Sequence, residues 1–238
     1  MFSNRFWGVG LALAVLGAGG CKSLGSLGMF NRGQQAAAQP ALAGFEGVQI
    51  GPGVTADISV GGDFAVAIDG DRAMVRQVAA RVDKQDLVVT RTGDAQTPVH
   101  VRVVLPKLRR LQVDAARVSV AGAAGPRLEI TARDHSTVNA SALDAGRLVL
   151  TARDASRIVL AGAAQTLEAS LSGGSRGDAR QLALRNARVD LGEASRLDLR
   201  PERDVSGKAT GGSRLAVWGK PRRVSVATRG AADVNYVR

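Results

Sequence analysis

Between residues 108 and 213 apolar side chains recur at every second position, in runs that break off and resume about every twenty residues. Leu148, Leu150 and Ala152 point one way and Asp154 marks a corner; Ser156, Ile158 and Leu160 then resume the same inward set. Arg147, Thr151, Arg153, Arg157 and Val159 fall on the opposite face. The same reading places Leu128, Ile130, Ala132, Ser136 and Val138 inside one coil earlier, and Val189, Leu191, Ser195, Leu197 and Leu199 two coils later. Ser136, Ser156, Ser175, Ser195 and Ser213 stand 20, 19, 20 and 18 residues apart, and Ala116 fills the slot one period before them. A repeat this short predicts one coil of a β-solenoid per period, an all-β fold in which each coil stacks on the last. Gly146 and Gly162 are expected at return corners, where positive φ costs glycine little.

The front of this region is less regular. Residues 54–60 and 64–68 alternate and are split by Gly61-Gly62, which predicts a hairpin. Residues 72–82 read as a short helix or a loop. Residues 87–91 and 99–105 read as strands separated by Gly93-Asp94, and Pro106 stops the last of them.

Composition narrows the core and the partners. Hydrophobic residues make up 45% of the 238 but aromatics only 3%, so the interior must be built from Ala, Val, Leu and Ile, which suit stacked strands. The net charge of +11 favours polyanionic partners. Nucleic acid is excluded as the expected partner, because the aromatics beyond residue 44 (Phe45, Phe64, Trp218 and Tyr236) are too scattered to form a stacking platform.

Residues 1–5 form a basic start and residues 6–20 run without a charge, too short for a comfortable membrane span and the right length for a secretory signal peptide. The run ends at Ala18-Gly19-Gly20-Cys21, and Cys21 is the only cysteine, so no internal disulfide is possible. These residues resemble the lipobox of bacterial lipoproteins. The resemblance implies that Cys21 is acylated and becomes the first mature residue, and Lys22 after it implies sorting to the outer membrane. Residues 21–44, rich in Gly, Ser, Gln and Ala, read as a flexible tether. The expected organisation is therefore signal peptide 1–20, lipidated cysteine and tether 21–44, and solenoid domain 45–238.

Two ladders of side chains follow from the repeat. Ser136, Ser156, Ser175, Ser195 and Ser213 face inward, where their hydroxyls satisfy backbone groups rather than act as nucleophiles. Arg157, Arg176, Arg196 and Arg214 follow four of these serines, face outward and are expected to stand one coil apart, at ~4.8 Å steps. Planar guanidinium forks at that spacing suit carboxylates, sulfates or phosphates along a repeating polymer. Asp178, Asp198 and Glu193 lie close enough in sequence to neutralise part of the row.

Other motifs carry less. Asp134-His135-Ser136 does not form a relay, because adjacent strand residues point to opposite faces. Asp134 and Asp154 occupy equivalent corners, but later coils carry Glu193 or Gly211 there, so no calcium ladder is expected. Arg176-Gly177-Asp178 is an integrin-type tripeptide that falls on a strand rather than a loop. No cluster has zinc spacing, and neither a metal nor a cofactor is expected.

The irregular front leading to Pro106-Lys107-Leu108-Arg109-Arg110-Leu111, followed by coils with corners such as Ala155-Ser156, Ala194-Ser195 and Gly212-Ser213, resembles the bacterial head GIN domain, described as a putative autotransporter adhesin. That resemblance spans residues 45–238 and implies a right-handed parallel β-helix in an envelope setting, with no catalytic residues to transfer. The expected function is a non-enzymatic envelope lipoprotein, held to the membrane by its N-terminal lipid. Through the arginine ladder it would contact an anionic polysaccharide or lipopolysaccharide. Two alternatives stand beside it. One is a self-assembling structural protein that forms homo-oligomers through the open terminal coil near residues 224–236. The other is a polysaccharide-active β-helix enzyme, which would need paired carboxylates in a groove.

Overall fold

The computed structural model describes residues 37–38, 42–70, 72–93 and 99–237. The signal peptide expected at 1–20, the acylation site Cys21 and most of the tether lie outside the described residues. Residues 34–238 form one compact unit that contains the entire hydrophobic core. Among the described residues no helix is long and apolar enough to cross a membrane.

Four strands open the fold: β1 (Ala37–Ala38), β2 (Gly47–Ile50), β3 (Val54–Val60) and β4 (Ala65–Asp69). A single helical turn, α1 (Arg72–Val75), leads to β5 (Val78–Asp83), β6 (Asp86–Arg91), β7 (Val99–Leu105), β8 (Arg110–Asp114) and β9 (Arg117–Ala121). The repeat then supplies β10 (Ala124–Arg133) and four strands of 14 to 16 residues: β11 (Thr137–Ala152), β12 (Arg157–Leu171), β13 (Arg176–Leu191) and β14 (Arg196–Ala209). Three shorter strands close it: β15 (Arg214–Trp218), β16 (Arg223–Thr228) and β17 (Asp233–Val237).

Each long strand bends, so its first half joins one parallel ladder and its second half another. The first ladder runs β4, β7, β3, β9, the leading halves of β11 to β14, then β15 and β17. The second runs β5, β6, β2, β8, β10, the trailing halves of β11 to β14, then β16. This is the parallel β-solenoid that the twenty-residue period predicts. Inward rows run straight through the stack, for example Val118, Val138, Ile158, Gly177, Leu197, Leu215 and Val234. Gly177 is the exception that keeps the row packed: a Cβ there would lie 2.8 Å from Leu197 Cδ1 and 3.3 Å from Leu171 Cδ2, so larger neighbours occupy the space it leaves.

The coils are joined by stacked tight turns. Asp134-His135, Asp154-Ala155, Gly173-Gly174, Glu193-Ala194 and Gly211-Gly212 all hold two consecutive residues at φ between 51° and 73°, the left-handed pair of a type I′ turn. A non-glycine residue there costs roughly 1–2 kcal/mol. Hydrogen bonds between turns offset it, since Ala155 N donates to Gly173 O at 2.7 Å, Gly174 N to Glu193 O at 2.8 Å and Ala194 N to Gly211 O at 2.9 Å.

Four details depart from the sequence pattern. Residues 54–60 and 64–68 form no hairpin: β3 and β4 both pair with β7, parallel and antiparallel respectively, so β7 lies between them. The true hairpin is β5–β6, turning at Lys84 with φ 57°; of the stretch 72–82 read as a short helix or a loop, α1 takes 72–75 and β5 takes 78–82. Gly162 takes its expected positive φ of 127°, but Gly146 does not; in its coil Ala142 makes the left-handed bend at φ 51°. Gly146 is still confined, because a Cβ would meet Pro126 O at 2.8 Å. β1 falls within the stretch read as tether and pairs antiparallel with β4.

Candidate functional site: the arginine row

The type I′ turns set where the two ladders of side chains point. Immediately after each turn the serine is buried to within 1% exposure, and the next residue faces solvent. Ser156 Oγ donates to Arg153 O at 2.7 Å, Ser195 Oγ to Leu171 O at 3.0 Å and Ser213 Oγ to Leu191 O at 3.4 Å. Ser136 Oγ lies within reach of the carbonyls of Arg133 and Val113. Ser175 Oγ alone among the five finds no partner. The serines are thus structural, closing turns from inside.

The outward residues are in backbone register. Arg157 pairs with Arg176, Arg176 with Arg196 and Arg196 with Arg214, so the four lie in one row across four neighbouring strands. Arg117 continues the row two strands earlier, with Thr137 between it and Arg157. Arg117 is a member that the serine periodicity hides, because its preceding slot holds Ala116; the slot itself was the available signal.

The acidic neighbours do not share their charge evenly. Asp178 is clamped by Arg180, which donates from Nε at 3.0 Å, from Nη2 at 2.6 Å and from its backbone N at 3.1 Å. Those bonds, the side-chain bond foremost, hold the Asp178 carboxyl below the usual aspartate range despite partial burial. Asp198 accepts a two-pronged bond from Arg196 at 3.0 and 3.2 Å, and this raises the guanidinium pKa further. Glu193 turns instead to Gly173 N at 3.0 Å. Among the described residues no carboxylate lies within ion-pair distance of Arg157, Arg176 or Arg214, all three exposed. The row is therefore one fixed arginine and three open ones. Arg157, Arg176, Arg196, Arg214 and the two aspartates line a shallow groove.

The other ladder offers a larger depression, lined by Arg147, Glu168, Ser170, Arg188, Asp190 and Lys208. Its charges largely answer one another: Arg147 pairs with Glu168 at 2.5 Å and Lys208 with Asp190 at 3.1 Å. Volume favours this face, but unpaired charge favours the arginine row. An anion on that face would compete with Glu168 and Asp190 for the cations, whereas the three open arginines of the row have no carboxylate to displace.

The remaining motifs separate in space. Asp134 and His135 are both exposed turn residues while Ser136 is buried, so they form no relay; the reason is the left-handed turn rather than strand alternation. Arg176-Gly177-Asp178 lies along β13 with Gly177 in the core and Asp178 engaged by Arg180, which leaves no protruding tripeptide. Among the described residues no group of three or more His, Cys, Asp or Glu is placed to hold a metal ion. His100 joins Asp57 at 2.9 Å and Asp69 at 3.5 Å, and Arg102 caps Asp69 from two nitrogens at 2.8 and 2.9 Å. The Arg102 hydrogen bonds, ahead of His100, hold the Asp69 carboxyl low. Arg180 also stacks over Trp218, its guanidinium carbon 5.3 Å from the ring centre. Residues so far apart in sequence left no signal for either contact.

Residues 44–221 match the family described as "Putative auto-transporter adhesin, head GIN domain". The chain belongs to this head GIN domain family. No functionally curated relative matches it. Solved structures share the fold at low identity. A "putative adhesin" of Bacteroides fragilis superposes with a TM-score of 0.78 at 13% identity, covering 87% of this chain and 98% of that one. A "putative adhesin" of Parabacteroides merdae gives 0.64 at 16%, covering 87% and 96%. A "putative lipid binding protein" of Parabacteroides distasonis gives 0.66 at 12%, covering 87% and 98%. At such identities the likeness to these structures is one of fold. The GIN solenoid thus supplies the scaffold, and the arginine row is read from this chain's own residues.

Proposed function

We propose that this GIN-domain protein is a non-enzymatic envelope lipoprotein. In this reading it is acylated at Cys21, sorted to the outer membrane and held off it by the 21–44 tether, and it binds an anionic polymer along Arg157, Arg176, Arg196 and Arg214. The observation that carries the reading is the set of three guanidiniums without a carboxylate, in register on adjacent strands beside one that is pinned. At strand spacing two like charges repel by about 0.9 kcal/mol in water, and a bridging sulfate, phosphate or carboxylate relieves that repulsion while accepting forked hydrogen bonds. A polymer with an acidic group at short intervals, such as an acidic polysaccharide or the phosphorylated core of lipopolysaccharide, fits a row better than an isolated ion does. One structural neighbour is named a lipid binding protein, which is in keeping with the lipid-bearing polymer of this pair. The two aspartates in the groove are each engaged by an arginine, an arrangement that suits holding an anion rather than acid–base cleavage of a sugar.

The test is binding of the 34–238 unit to lipopolysaccharide and to a panel of acidic glycans across a salt series, beside a variant with Arg157, Arg176 and Arg214 changed to Gln. Saturable binding that salt weakens and the variant loses supports the row as the site. Equal binding by both proteins rejects it. Anchoring is tested separately: Cys21→Ser in the full chain should abolish incorporation of labelled palmitate and release the protein from the membrane fraction.

A further inference from the structure

The two ends of the solenoid are built differently. At the front, β4 and β5 fold back antiparallel on β7 and β6, β1 pairs with β4, and Phe45 and Phe64 pack with ring centres 4.9 Å apart. Antiparallel additions of this kind interrupt the parallel stack and protect its edge. At the other end, among the described residues, β16 is hydrogen-bonded only to β14 and β17 only to β15.

The bonds of this last coil fix which groups face outward. Arg229 N donates back to Ala209 O and Asp233 N to Ser213 O. Alternate residues of a parallel strand direct their N–H and C=O to opposite neighbours. Val224, Val226 and Thr228 in β16, with Val234 and Tyr236 in β17, therefore aim both groups away from the fold. The side chains on the inward rows of this coil are poorly covered as well. Val224 and Val234 are half-buried where Val205 and Leu215, their partners one coil earlier, are 1% exposed; Tyr236 is 59% exposed where its partner Val217 is buried, and Val226, which stacks on Gly207, is half-buried. Charge gathers at the same end. Residues 196–238 hold ten Lys or Arg against four Asp or Glu, so they carry +6 of the chain's +11.

We propose that this terminal coil is a docking edge for an extended acidic polypeptide segment, which adds to the ladders as the next strand. A strand is the occupant because the edge presents alternating donors and acceptors at peptide spacing, and only another backbone answers both in register. The segment is acidic because exposed Arg222, Arg223 and Arg229 flank the edge. A second copy docking end to end would bring the same +6 against itself. Apolar side chains at alternate positions of the incoming strand would cover Val224, Val226, Val234 and Tyr236.

The probe is a fluorescein-labelled ten-residue peptide alternating Val and Glu, with a Val/Lys peptide as control, titrated into the ¹⁵N-labelled 34–238 unit. Fluorescence polarisation reports binding and amide exchange reports where it occurs. At about ten times Kd, exchange at Val224, Val226, Thr228, Val234 and Tyr236 should slow about tenfold. Ser225, Ala227 and Asn235, whose amides already face β14 or β15, should not change. Changing Arg222, Arg223 and Arg229 to Gln should weaken binding about tenfold without touching the core, whereas Arg157→Gln with Arg176→Gln should leave it intact. Binding without the alternating protection would mean diffuse electrostatic attraction and would overturn the proposal. So would protection that grows with protein concentration alone, which would identify a second copy, or displacement of the peptide by heparin with no protected amide at any stage.

Discussion

Five chemically identical positions, one per coil, give the solenoid an internal control on what a buried hydroxyl contributes. Ser195 and Ser175 are both buried and both follow a left-handed turn, yet Ser195 Oγ donates to Leu171 O at 3.0 Å and Ser175 Oγ finds no partner. In Ser195→Ala the acceptor keeps a bond, because Leu171 O also receives Gly192 N at 2.9 Å. The loss is then the net value of one hydrogen bond, about 1 kcal/mol. In Ser175→Ala a desolvated, unanswered hydroxyl is removed, so stability should hold or rise, by up to about 1 kcal/mol. At about 2–4 °C per kcal/mol for a unit of this size, calorimetry of the 34–238 unit should place the two midpoints about 2–8 °C apart, with Ser175→Ala the higher. If Ser175→Ala loses as much as Ser195→Ala, the hydroxyl of Ser175 is bonded in solution and the reasoning fails.

Three further perturbations probe the backbone, the core and the surface charge. Gly207 sits at φ 136° with the position of a Cβ 1.8 Å from Val189 O, so Gly207→Ala should cost at least about 2 kcal/mol in denaturant unfolding. Gly61→Ala, at φ 113° with nothing within 4 Å of its Cβ, should cost less and serves as its control. Leu150→Ala should remove about 2–5 kcal/mol, because the side chain is fully buried in a row continued above and below by Ile130 and Ala169. Arg180 lowers the folded pKa of Asp178, so the stabilisation is present above the unfolded aspartate value near 4 and is lost as pH falls through the lower folded value. Asp178→Asn should therefore unfold more easily at pH 7, and its deficit should shrink steadily below about pH 4; a deficit constant down to pH 2 would refute the linkage.

The difference between the two ladders bears on how such a rod is used. One face answers its charges locally, through pairs such as Arg147–Glu168 and Lys208–Asp190, and the other leaves three arginines open beside a pinned fourth. Composition alone could not show this contrast, because both faces draw on the same arginine-rich stock. Exposed pairs contribute little to stability, so the contrast matters for what binds rather than for what folds.

The period-two alternation inside a twenty-residue repeat determined the solenoid, because a one-residue slip would turn every apolar side chain outward. Equal spacing also determined that the serines lie inside and that Arg157, Arg176, Arg196 and Arg214 share a row. Where periodicity failed, sequence reasoning failed with it. The front lacks a repeat, so the insertion of β7 between β3 and β4 rests on pairings among segments far apart in the chain, and the Gly61-Gly62 signal was overridden by that tertiary pairing. The left-handed bend at Ala142 in place of Gly146 was likewise settled by stacking on the coil below, where neighbouring backbone leaves no room for a Cβ at Gly146. Only the tertiary structure decided which arginines are free. Asp178 stands two residues from both Arg176 and Arg180, and on a strand both side chains share its face; the choice of Arg180, which also rests on Trp218, is made by geometry across coils that spacing along the chain does not encode.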